Sequence, residues 1–129
     1  MTTATRATMG SEHAEQVALV QWAAWKQGAC PALRLLFAVP NGGKRDPVTA
    51  ARLKAEGVQA GVPDLCLPVA RRGYHGLYLE LKVGRNTISD LQEQWIDALR
   101  AEGYFVDVAW GWQAAAQVIA DYLGIETGL

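Results

Sequence analysis

Apolar residues recur at helical spacing early in the chain, with Ala14, Val17, Ala18, Trp22 and Trp25 on one face and Ser11 placed to cap the first turn. The pattern predicts a helix from Ser11 to about Gly28, after a flexible leader over residues 1–10 that has no periodicity. Leu33–Val39 is a short unbroken apolar run, which predicts a buried strand, and Pro40-Asn41-Gly42-Gly43 ends it with a turn. A short helix from Pro47 to about Glu56 follows. Residues 64–69 (DLCLPV) and Gly76–Val83 then predict two strands joined through Arg71, Arg72 and Gly73 as a hairpin. Along the second strand Leu77, Leu79, Leu81 and Val83 fall on one face and Tyr78, Glu80 and Lys82 on the other, so one face packs and the other is free for chemistry.

Ser89 and Gln92 form a Ser-x-x-Gln capping box that starts a third helix, with Leu91, Trp95, Ala98 and Leu99 as its apolar stripe and Gly103 just past its end. A strand over Tyr104–Trp110 and a helix over Trp112–Tyr122 complete the order α-β-α-β-β-α-β-α. That order predicts an α/β fold, a mixed central sheet flanked by helices. The five tryptophans sit at packing positions, where they are expected in the core rather than stacked on bases.

Composition changes this picture little: 50% of residues are hydrophobic and 19% charged, as in an ordinary globular domain, and 129 residues suit a single one, over residues 11–129. Charge narrows the partner classes. The net charge of -1 gives no global basic signature for a nucleic-acid binder, so any such surface must be local. Candidates are Lys44, Arg45, Arg52 and Lys54 in one segment and Arg71, Arg72, Lys82 and Arg85 in another. Cys30 and Cys66 lack metal-ligand spacing and read as small packed side chains in a reducing cytosol rather than as a zinc site or a disulfide. No apolar run nears the roughly 18 residues of a membrane span, so a cytoplasmic location, in a bacterium or a phage-infected host, is expected.

Candidate chemistry enters where polar residues interrupt apolar strands: Asp64 at the mouth of one, Glu80 and Lys82 near the end of its partner. A hairpin folding about its loop pairs residues whose numbers sum to roughly 145. Asp64 then faces residue 81 and is flanked by Glu80 and Lys82 at cross-strand separations of about 5 Å. Two carboxylates with an adjacent amine suit a hard divalent cation, Mg2+ or Mn2+, which takes oxygen ligands and can activate water against a phosphodiester. The Leu81 backbone carbonyl can add a further ligand, and Lys82 can orient water or stabilise charge on phosphate. The bland alternative is a turn aspartate and a solvent-facing Glu–Lys pair on an edge strand.

The segments PNGGKR (40–45), GVPD (61–64), LYLELK (77–82) and ISDLQEQWIDAL (88–99) resemble, in order and spacing, the core of VRR-NUC domains of the PD-(D/E)xK nuclease superfamily. The resemblance spans about residues 11–123. It implies a restriction-endonuclease-like core and a stand-alone, metal-dependent DNA endonuclease, with branched DNA such as Holliday junctions as substrate and a homodimer as the working form. By the same resemblance Asp64 and Glu80 hold the metal, Lys82 is the superfamily lysine, and Gln92 is the glutamine that follows on a helix. A glutamate on the first helix also belongs to the pattern; Glu12 fits best and Glu15 is the alternative. Asn41, Lys44 and Arg45 of the glycine turn, with Arg52, Lys54 and Arg85, become candidates for DNA contact. One departure stands: where relatives carry a Val-Arg-Arg-like element, this chain has Phe105-Val106-Asp107-Val108. The competing reading is a non-catalytic nucleic-acid- or partner-binding module, opposed by the intact Asp64, Glu80 and Lys82 set.

Overall fold

The computed structural model describes residues 9–40 and 46–129. Helix α1 (Glu12–Lys26) starts where Ser11 Oγ accepts the Ala14 N–H. Its buried face comprises Glu15, Leu19, Trp22 and Ala23, a stripe rotated from the predicted one; Val17 and Trp25 are exposed, Trp25 by 63%. Neither the phase nor the tryptophan expectation holds for the helix as a whole, because the buried stripe begins with a charged residue that a hydrophobicity count passes over.

Leu33–Val39 is not a buried strand. Pro31 opens a 3-10 helix over Pro31–Leu35, and only β1 (Phe37–Ala38) pairs, at the sheet edge with both residues exposed. Helix α2 (Pro47–Ala55) is capped by Asp46, whose carboxylate accepts the Thr49 N–H and hydroxyl; burial is nil there, and these bonds hold its pKa low. Strands β2 (Leu65–Leu67) and β3 (Leu77–Lys82) form the antiparallel hairpin, α3 (Asp90–Ala101) follows, β4 (Phe105–Trp110) runs parallel to β3, and α4 (Trp112–Leu123) ends on Gly124 in the left-handed conformation. The described residues thus make a mixed four-stranded sheet in the order β1-β2-β3-β4, with four α-helices: an α/β fold.

The hairpin register differs from the predicted one by a residue. At the loop, Arg71 bridges Tyr74, but in the ladder Leu65 faces Leu79 and Leu67 faces Leu77. The extra residue is absorbed at Pro68, where the Val69 N–H bonds back to the Leu67 carbonyl in a three-residue turn. Continued by one step, this register sets Asp64 opposite Glu80 rather than opposite Leu81.

The core lies on the odd-numbered face of β3. Leu77, Leu79 and Leu81 are packed with Leu19 and Trp22 of α1 and Ala115, Ala116 and Ile119 of α4. On α3 the buried residue is Ile96; Leu91 and Ala98 of the predicted stripe are exposed and Leu99 half-buried. Both cysteines are free thiols. Among the described residues no helix is long and apolar enough to cross a membrane.

Candidate active site

Sheet alternation places Glu80 and Lys82 on the even-numbered face of β3, and the Gly61–Pro63 approach delivers Asp64 beside them. This face is not solvated: Glu80 is 1% exposed, Asp64 4% and Lys82 8%, which corrects the image of an open polar face. Glu12, the more exposed of the acids, reaches in from the first turn of α1, and carboxylate oxygens of Glu12, Asp64 and Glu80 all lie within 4.8 Å of one another. They share a hollow of about 310 Å3 with Lys82, Ser89 and Gln92.

The bonds that hold the cluster are specific. Asp64 Oδ2 accepts the Leu81 N–H at 2.8 Å. N–H and C=O of one strand residue point to the same side, so the Leu81 carbonyl faces the Asp64 side of β3 as well, while that of Lys82 accepts Gly111 N–H across towards β4. Gln92 joins three groups: its Oε1 accepts Lys82 Nζ at 2.8 Å and the Ser89 N–H at 2.9 Å, and its Nε2 donates to Glu80 Oε2 at 3.1 Å. Capping residue and site residue are therefore one and the same. Lys82 Nζ lies 3.7 Å from Glu80 Oε2.

Glu80 Oε1 is buried and, among the described residues, receives no hydrogen bond. Burial above all, and then the Asp64 charge, push the Glu80 pKa up to about 8, outweighing the opposing pull of Lys82. Burial and Asp64 raise Glu12 in the same way. With its pKa that high the Glu80 carboxyl is mostly protonated at neutral pH, helped by a side-chain hydrogen bond with Asp64, while its Oε1 stays unserved.

Glu15 has a different role from Glu12. Its Oε1 accepts the Trp112 N–H at 3.0 Å and its Oε2 the Gly10 N–H at 3.1 Å, so it caps α4 from the neighbouring helix. Glycine at 111 offers α4 no capping side chain of its own. Nothing in the sequence marks that contact, since its partners are 97 positions apart.

Of the cationic candidates, Arg52, Lys54 and Arg85 are exposed. Arg85 follows β3 closely, Lys54 lines a groove adjoining the acidic hollow, and Arg52 lines neither. Asn41, Lys44 and Arg45 lie outside the described residues.

A mixed sheet that presents converging carboxylates and a lysine from one hairpin defines a nuclease-type fold. Residues 10–112 match the VRR-NUC domain family, and the chain belongs to it. The match stops short of the 11–123 span of the resemblance and leaves nearly all of α4 outside. A solved structure described as a VRR_NUC domain protein is similar, with a TM-score of 0.74 and 31% identity over 90% of each chain. No curated protein matches.

Proposed function

We propose that the protein is a divalent-metal-dependent DNA endonuclease acting on branched DNA such as Holliday junctions. The observation that carries this reading is the convergence of Glu12, Asp64 and Glu80 beside Lys82, with Glu80 Oε1 buried and unserved. An all-oxygen donor set of this kind fits Mg2+ or Mn2+. Asp64 and Glu80 would hold the ion, with the Leu81 carbonyl as a further ligand and Glu12 beside them. When bound, the cation supplies positive charge that polarises the phosphoryl oxygen and makes water more acidic.

The chain's own groups do the rest. Glu80 would hold the ion as a carboxylate, its proton released to solvent, and the ion's charge would offset the cost of burying that carboxylate. Lys82, held in place by Gln92, presents its amine to the attacked phosphate or to the attacking water. Gln92, anchored by its own helix cap, keeps Lys82 and Glu80 at a fixed separation. Arg52, Lys54 and Arg85, with Asn41, Lys44 and Arg45, contact phosphates and make binding fall with salt by a log–log slope of about -0.9 per contact on duplex DNA. The working form is a homodimer in the cytoplasm, because a two-fold pair presents two sites to a symmetric four-way junction.

Labelled linear duplex, flap and four-way-junction DNA, incubated with and without Mg2+ or Mn2+, test the reading. Metal-dependent cleavage of the junction, lost in Asp64→Asn, is the expected result. A folded wild type that cuts none of these DNAs with either metal would sink it and leave a binding module.

A further inference from the structure

Beside the acidic hollow lies a larger groove of about 630 Å3 between α2 and α3, walled chiefly by Leu53, Lys54, Val58, Gln59, Leu91 and Trp95. Its size falls in the range of small-ligand sites. The two hollows abut, because Ala60 and Leu91 line both. A nucleotide whose phosphate sits at the carboxylates therefore has this groove within reach of its own base.

Where the two hollows meet, the backbone packs closely against α3. Gly61 has φ +94°, and a Cβ there would come within 3.0 Å of the Leu91 carbonyl oxygen and of Trp95 Cδ1. Glycine thus lets the segment leading to Asp64 press directly against α3. The Trp95 indole lies at that contact and is half-buried, while Leu91 stays 45% exposed.

The lining chemistry is that of a base site: an aromatic face on which any base can stack, aliphatic walls, one amide at Gln59 able to meet a base edge, and one ammonium at Lys54 for a neighbouring phosphate. A base inside a duplex stack cannot enter such a recess; an unpaired or unstacked one can. We infer that the groove receives a single unstacked nucleobase of the DNA strand whose phosphate lies at Asp64 and Glu80. The inference rests on the nuclease reading and narrows its substrate class to DNA with an unpaired or easily unstacked nucleotide beside the scissile bond, as at a branch point.

The test is binding of two DNAs that differ only in whether a 2-aminopurine is a one-nucleotide bulge or is paired, measured in Ca2+. Wild type is expected to bind the bulged DNA about tenfold more tightly, the scale of one base stacked on an aromatic side chain, and to quench its fluorescence. Trp95→Ala should lose the quenching and most of the preference, and Trp95→Phe should keep most of the preference. Ala50→Trp fills the groove from its exposed α2 side without emptying the core, and should lose the preference too. Circular dichroism confirms that each variant is folded. Equal binding of the two DNAs by wild type, or a preference that survives in both Trp95→Ala and Ala50→Trp, overturns the inference. So does a change in oligomeric state in Ala50→Trp with the preference intact, which would make the groove a protein contact. Cleavage is scored separately: metal-dependent cutting without bulge preference removes the groove alone, whereas bulge preference without any cutting removes the nuclease reading alone.

Discussion

Leu79 and Glu80, neighbours on opposite faces of β3, are buried to the same degree and for opposite reasons. On the odd-numbered face Leu77, Leu79 and Leu81 are at most 1% exposed and are held by packing against α1 and α4. On the even-numbered face Glu80 is buried as completely, yet it is held by an amide from α3 and faces another carboxylate. The first face stabilises the fold as it stands. The second carries a charge that protein groups only partly compensate, so it is stable at a cost that a proton or a cation can relieve. Burial alone therefore says little about what a position is for; the partners do.

Substitutions on the two faces should separate these cases most widely. Leu79→Ala is expected to cost about 2–5 kcal/mol in urea denaturation, the usual range for an emptied leucine site. Glu80→Gln should abolish metal-dependent cleavage while leaving the metal-free protein as stable as wild type or more so. Comparable destabilisation by both would erase the distinction between the faces.

Gln92→Ala should follow in size. It removes the amide that fixes Lys82 and Glu80, and loss of such a supporting contact lowers metal affinity or activity by about 10- to 100-fold. Activity within twofold of wild type would reduce Gln92 to a helix cap.

A smaller effect is expected from pH. Glu80 has a folded pKa of about 8 against an ordinary 4.5, so between those values the folded protein keeps a proton that the unfolded chain has lost. This group's contribution to metal-free stability should then be full below pH 4.5 and be lost as pH rises to about 8. Melting of the metal-free protein from pH 5 to 8 checks this: a decline of several degrees in wild type, absent in Glu80→Gln, and reversed at pH 8 by millimolar Mg2+ or Mn2+. Identical pH profiles for the two proteins would refute the assignment. The smallest change belongs to Ser89→Ala, which should cost about 0.5–2 kcal/mol of stability as a lost N-cap. Metal affinity should hardly move, because Gln92 keeps its bonds to Lys82 and Glu80.

The sequence carried the element order, the alternation on β3 and the cap at Ser89, since each depends on neighbours a few positions apart. It also brought Asp64, Glu80 and Lys82 into one neighbourhood despite the shifted register, because the three-residue turn at Pro68 moves Asp64 by only one position. Features that depend on distant chain segments were not legible. Leu33–Val39 has strand-like composition, yet Pro31 favours a helical turn and only Phe37 and Ala38 enter the ladder, with Val39 N–H bonded to the Asp64 carbonyl beyond it. Trp95 looked like core, and its part in a groove emerges only when α2 and α3 are brought together. Glu12 and Glu15 lie on the same helical turn and differ solely in what the fold places opposite each.

That last pair bears on how a mutational scan of this chain would be interpreted. Glu15 rivets the start of α1 to the start of α4, and Glu12 stands three residues before it in the same first turn. Glu15→Ala would strip the first turn of α1, where Glu12 stands, of its tie to α4, while Leu19 and Trp22 keep the rest of the helix packed. A screen that scores cleavage alone would count both glutamates as equals, although one would act at the phosphate and the other only keeps its neighbour aimed.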